Sequence, residues 1–154
     1  MLRLLTFVVC ESVVIDKQES PSIIRVWQKV TLENFGEASE DAPAADAFSP
    51  QFWYIIPIWD HDPEDVGKEL KQKTQLIMPD GSTNEVIKAD LPFTVKEDFV
   101  INHIRIIGFP VGQLGTLKVK IWLESSTGEA ICDPVFYPIK ILKAANPTST
   151  GRSW

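Results

Sequence analysis

The stretch "WDHDPED", Trp59 to Asp65, gathers four carboxylates and an imidazole within seven residues. Such a set suits a divalent cation: Asp60, Asp62 and Asp65 would supply oxygens and His61 a nitrogen. The helix-loop-helix calcium pattern is excluded, because its sixth position wants Gly and its twelfth Glu, where this chain has Asp65 and Lys71. A calcium site at the end of a sandwich would need help from a second loop, such as the one holding Asp80 or the acidic stretch 33–51. Alternate residues of a strand point to opposite sides, so Asp60 and Asp62 share a face that His61 leaves. The plainer reading is a strand running out into a solvated Asp-Pro turn.

Other chemistry is thinly represented. His61 and His103 are the two histidines, so a hydrolase would have to use one of them, and His61 is the remote candidate. Cys10 and Cys132 each stand beside an acid (Glu11, Asp133), which opposes thiolate formation. Their apolar surroundings read as buried free thiols, and their spacing matches no zinc motif. No nucleophile elbow, phosphate loop or dinucleotide fingerprint is present. The expectation is a protein that is not an enzyme and holds no cofactor, with a weak divalent cation as the alternative.

The elements that carry these residues follow a period of two. In 114–125, Leu117, Val119, Ile121 and Leu123 fall on one face, and Lys118, Lys120, Trp122 and Glu124 on the other. The stretch 68–78 repeats this with Leu70, Leu76 and Met78 against Lys71, Lys73 and Gln75. In 22–32 the same rule sends Ile24, Val26, Val30 and Leu32 inward, and Arg25 and Trp27 outward. Turn signals at 16–21, 78–83 and 125–130 close hairpins. The pattern predicts about eight strands, near 4–14, 22–32, 52–59, 68–78, 83–90, 98–107, 115–124 and 131–142. Their arrangement is all-β, a single antiparallel β-sandwich, immunoglobulin-like or C2-like. The domain is expected over 1–142, with a long acidic loop at 33–51 and a tail at 143–154.

The order of "FVVCESVVID…SIIRVW", "YIIPIWD", "TQLIMPDG" and "GQLGTLKVKIWLES" resembles a group of small bacterial β-sandwich proteins, filed as a domain of unknown function. The resemblance spans 4–142 and implies the fold; it brings no catalytic residues with it. The acidic stretch 33–51 is longer than the corresponding connection in that group.

Composition bounds the partners. The chain has 154 residues, 44% apolar and 23% charged, and 15 basic against 21 acidic residues give a formal charge of −6. That length suits one domain. The lysines of "KELKQK" and "LKVK" read as solvent faces of strands rather than a phosphate-tracking footprint, so nucleic acid is not expected. The opening "MLRLLTFVVCES" imitates a secretion signal, but Glu11 interrupts it and no small-residue cleavage site follows. No apolar run reaches the roughly 20 residues of a membrane span, so a soluble, cytoplasmic protein is expected. Trp27, Trp53, Trp59 and Trp122 fall in strands. Tryptophans left bare on an outer face would make a protein-binding surface, so a protein partner is expected.

Overall fold

Period-two segments become strands in a computed structural model that describes residues 1–18, 21–32 and 44–144. The strands are β1 (Arg3–Ile15), β2 (Pro21–Val26), β3 (Lys29–Leu32), β4 (Phe48–Asp60), β5 (Glu69–Ile77), β6 (Thr83–Thr94), β7 (Val100–Ile101), β8 (Ile104–Pro110), β9 (Gly115–Ser125) and β10 (Val135–Lys143). A 3₁₀ turn over Pro63–Asp65 follows β4. Sheet A runs β2-β1-β4-β7, with β8 also pairing β4, and sheet B runs β3-β10-β9-β5-β6. Both sheets feed one core, in which Val9, Trp53, Ile55 and Trp59 of sheet A join Leu76, Leu117, Ile121 and Ile139 of sheet B. The all-β sandwich expected from the alternation is therefore present. Its pairings are antiparallel except that of β3 with β10, which is parallel.

Two of the eight expected strands are each divided, for different physical reasons. The segment 22–32 leaves sheet A after Val26 and enters sheet B at Lys29. Arg25 has a φ of 52°, a left-handed conformation rare outside glycine, and it bends the chain just before the crossing. Trp27 then lies between the sheets, stacked on Trp53 at 6.0 Å and edge-on to Phe109 at 5.3 Å. The outward placement of Trp27 is thus corrected to buried, and the inward placement of Ile24 and Val26 to exposed, each at 49%. In 98–107, Asn102 breaks the strand by turning its side chain into the core. Its amide donates to Gln72 Oε1 at 2.8 Å, and its backbone N–H to the carbonyl of Pro57 at 3.1 Å.

The hairpins form where the turn residues stand. Gly81 and Gly128 supply the positive φ at the β5–β6 and β9–β10 turns. The loop expected over 33–51 is shorter at its far end, because β4 already begins at Phe48. Residues 33–43 of that loop, and 145–154 of the tail, lie outside the described residues. The domain's last strand continues to Lys143, one residue past the expected limit.

Candidate functional site

The end of β4 delivers the acidic cluster to the start of β1, since Arg3 pairs with Asp60 across the two antiparallel strands. Arg3 Nη2 donates to Asp60 at 2.8 Å and reaches Asp62 at 3.5 Å. The amino group of Met1 binds Asp62 at 2.7 Å and also binds Asp65. Lys68, one turn on, donates to the other oxygen of Asp65 at 2.5 Å. Asp65 is buried, and a capping box fixes it, with the Asp62 N–H donating back to its carboxylate at 3.2 Å. Asp60, Asp62 and Asp65 therefore come together, but around ammonium and guanidinium groups of the chain itself.

The charges respond accordingly. Lys68, and then the Met1 amine, hold the Asp65 carboxyl far below the usual carboxylate range. The Met1 amine lowers Asp62, and Asp65 raises Lys68 in return. Among the described residues, no group of three His, Cys, Asp or Glu side chains has the arrangement to hold a metal ion. Asp80 stands at the far end of β5 from Asp65, where it accepts from Ser82 and Gln113. No second loop joins the cluster from there. An ion binding only the native state at a hundred times its dissociation constant would add about 2.7 kcal/mol. We expect the unfolding midpoint to be the same in chelator and in millimolar calcium, and a calcium-dependent rise lost in Asp60→Asn/Asp62→Asn would refute this.

His61 turns away from the carboxylates, as strand alternation requires. Its Nδ1 faces the carbonyl oxygen of Asp62 at 3.0 Å and its Nε2 that of Asp98 at 2.9 Å. Only the imidazolium can donate to both, so these carbonyls raise its pKa above the ordinary 6.5, with Asp60 and Asp65 adding to the effect. In its protonated form the ring donates from both nitrogens and offers no lone pair for base catalysis. It ties the end of β4 to the loop before β7.

The sign of the pH dependence follows from these directions. His61 is raised on folding, so its contribution is complete below its unfolded value and fades as pH rises through the folded one. Asp62 and Asp65 are lowered, so theirs is complete above about pH 4 and fades as pH falls through the folded values. Both are present between about pH 4.5 and 6. As pH rises through the folded His61 value, the Tm of the wild type should fall relative to that of His61→Gln, with the acid limb unchanged. His103, lowered by burial, acts in the opposite sense up to its unfolded value, and the raised Met1 amine adds to the decline at higher pH in both proteins. An equal alkaline decline in the variant would assign it to other groups.

The remaining candidates are distributed through the fold. His103, between β7 and β8, is half-buried; its Nε2 is sealed from solvent without a hydrogen-bond partner, and burial lowers its pKa. It helps line a cleft of about 700 Å³, together with Phe93, Lys96, Phe99 and, from the end of the first hairpin, Ile15 and Gln18. No serine or cysteine is among the described residues lining that cleft. Cys10 and Cys132 are free, and burial raises both thiols.

Trp53 and Trp59 are fully buried and donate inward, to the Gly108 carbonyl at 2.9 Å and to Gln72 Oε1 at 3.1 Å. With Trp27 also buried, the expected surface of bare tryptophans does not form from these three. Trp122 is half-buried on the outer face of sheet B, under Lys120 at 4.7 Å and bound to Glu124 at 2.8 Å. The exposed apolar residues are smaller ones, among them Ile24 and Val26, which alternation alone places inward. Phe52 and Ile107 face each other across β4 and β8, and Val14, Ile15, Ile23, Ile24 and Val26 lie on the first hairpin. Their signal was the density of β-branched residues on both sides of the 16–21 turn.

No helix among the described residues is long and apolar enough to cross a membrane. No family model matches the chain, and no curated protein matches it.

Proposed function

We propose that this protein is a non-enzymatic interaction module that engages a protein partner through the β1–β2 hairpin. One observation carries this reading. Among the described residues, the two strands pair only with each other beyond Cys10 and Val26, as a two-stranded arm. Val14, Ile24 and Val26 are exposed on it, and so are Ile15 and Ile23, which alternate to the other side. A two-stranded ribbon is marginal in water by itself, and apolar side chains exposed on both of its faces mark a surface that another chain covers. Phe52 and Ile107, on the adjoining outer face of sheet A, extend the apolar area. The carboxylates at 60–65 favour this reading over the cation-assisted one, because their partners are already supplied by Met1, Arg3 and Lys68.

Affinity capture from a lysate of the protein's own source cells tests it, with Val14→Lys/Ile24→Lys as the comparison. Proteins held by the wild type should be lost from the variant, whose fold is checked by circular dichroism. An identical set of captured proteins from both would sink the assignment to the arm.

A further inference from the structure

We propose that the outer face of sheet B is a docking surface for an acidic protein segment, a second contact surface of the interaction module and dependent on that reading. The chain carries a net charge of −6, yet register places six of its eleven lysines together on this face. Lys71 and Lys73 project from β5, Lys118 and Lys120 from β9, Lys140 from β10 and Lys29 from β3. Each alternates with a core residue: Leu70, Gln72 and Thr74 on β5, Leu117, Val119 and Ile121 on β9, and Ile139 and Ile141 on β10 are buried. The lysines therefore point away from the core by strand geometry.

The acids of this face neutralise only part of that charge: Lys73 is paired, and Glu124 lies across from Lys71 without forming an ion pair with it. Asp90 is taken by Lys73 at 2.7 Å, Glu124 accepts the Trp122 indole, and Glu69 stands at the end of β5. Lys29, Lys71, Lys118 and Lys140 have no acidic partner among the described residues. Lys29 and Lys140 are direct cross-strand neighbours, a like-charge pairing that costs stability until an anion lies over it. Exposed Phe136, opposite Lys120, and Leu142 of the same strand add apolar contact beside the charge.

The chemistry favours a carboxylate-bearing segment over nucleic acid. The cluster is built from lysines, with no guanidinium fork to grip phosphate in two places. Among the described residues, the one tryptophan of the face is occupied by Lys120 and Glu124, which leaves Phe136 as a single aromatic rather than a row on which successive bases could stack.

Fluorescence anisotropy with a labelled peptide of alternating glutamate and leucine tests the assignment. The peptide should bind at about 50 mM salt and weaken toward about 300 mM, as screening shortens the reach of exposed charges. Lys118→Glu/Lys140→Glu should weaken binding at least about tenfold, whereas Lys17→Glu/Lys96→Glu, an equal charge change elsewhere, should leave it unchanged. Absence of binding at low salt, or equal loss in both variants, overturns the proposal. Binding of a thymidine oligonucleotide or of phosphatidylserine vesicles as tight as that of the peptide overturns the choice of partner. Capture through the Val14/Ile24 arm is read separately, so failure here and failure there are distinguishable.

Discussion

Trp53→Ala should lower the unfolding free energy by about 3–5 kcal/mol, the range for truncating a buried aromatic. Trp53 has no exposed surface, packs on Trp27 and Phe109, and donates its indole N–H to the buried Gly108 carbonyl. Removing it opens a cavity between the sheets where the chain crosses from β2 to β3, and strands that carbonyl. Trp27→Ala should be costly for the same reason, and the double variant less costly than the two added, because the rings share one contact. Trp122→Ala is the contrast: with only a cation–π contact and one half-buried hydrogen bond, it should cost about 1 kcal/mol. Urea unfolding of the four proteins makes the comparison. A Trp122→Ala loss as large as that of Trp53→Ala would contradict the inward and outward placement of these rings.

That contrast also shows where the sequence was readable. In 114–125 each strand residue sees the same two environments from end to end, so strict alternation translates directly into burial. Leu117, Val119, Ile121 and Leu123 are indeed buried, and Lys118 is exposed. The stretch 22–32 obeys the same local rule but belongs to two sheets, and nothing in its pattern announces the exchange of partners. Alternation has no meaning across such a crossing, and so the pattern alone points Trp27 outward. The acidic cluster failed differently. Its composition was plain, but a carboxylate is a metal ligand or an ion-pair partner according to what else arrives. Arg3 arrives from more than fifty residues away, through the β1–β4 pairing. Lys68, at three residues from Asp65, was the one local sign of an ion pair.

The lysines show the converse. Along the chain they look scattered, since strand periodicity puts a core residue between each pair, and β3 precedes β10 by more than a hundred positions. Pairing collapses that distance to one interstrand spacing of about 4.8 Å. Charge patches on sheets are thus hidden from a linear reading in a way that runs on a helix or a tail are not. Net charge argued against a phosphate-tracking partner, and the lysine-only chemistry of the face argues the same way. What net charge could not convey is that one face has the opposite sign from the whole.

Gln72→Leu should destabilise the fold by about 2–5 kcal/mol, although it replaces a polar core residue with an apolar one of similar size. Gln72 lies on the inner face of β5 with no exposed surface, and its Oε1 accepts from both Trp59 Nε1 and Asn102 Nδ2. The leucine leaves two buried donors unpaired, on β4 and at the break between β7 and β8. Part of the loss is offset, because the Gln72 Nε2 is itself buried without a partner in the native protein. The asymmetry between an unmade hydrogen bond and an absent polar group supplies the decisive check. Trp59→Phe/Gln72→Leu/Asn102→Leu removes both donors with the acceptor, and should be more stable than Gln72→Leu with either donor left in place. A single variant that unfolds at the wild-type urea concentration would mean the two donors find other acceptors, and that the network does not join the sheets. A triple variant less stable than every partial one would place the cost in packing around Trp59 instead.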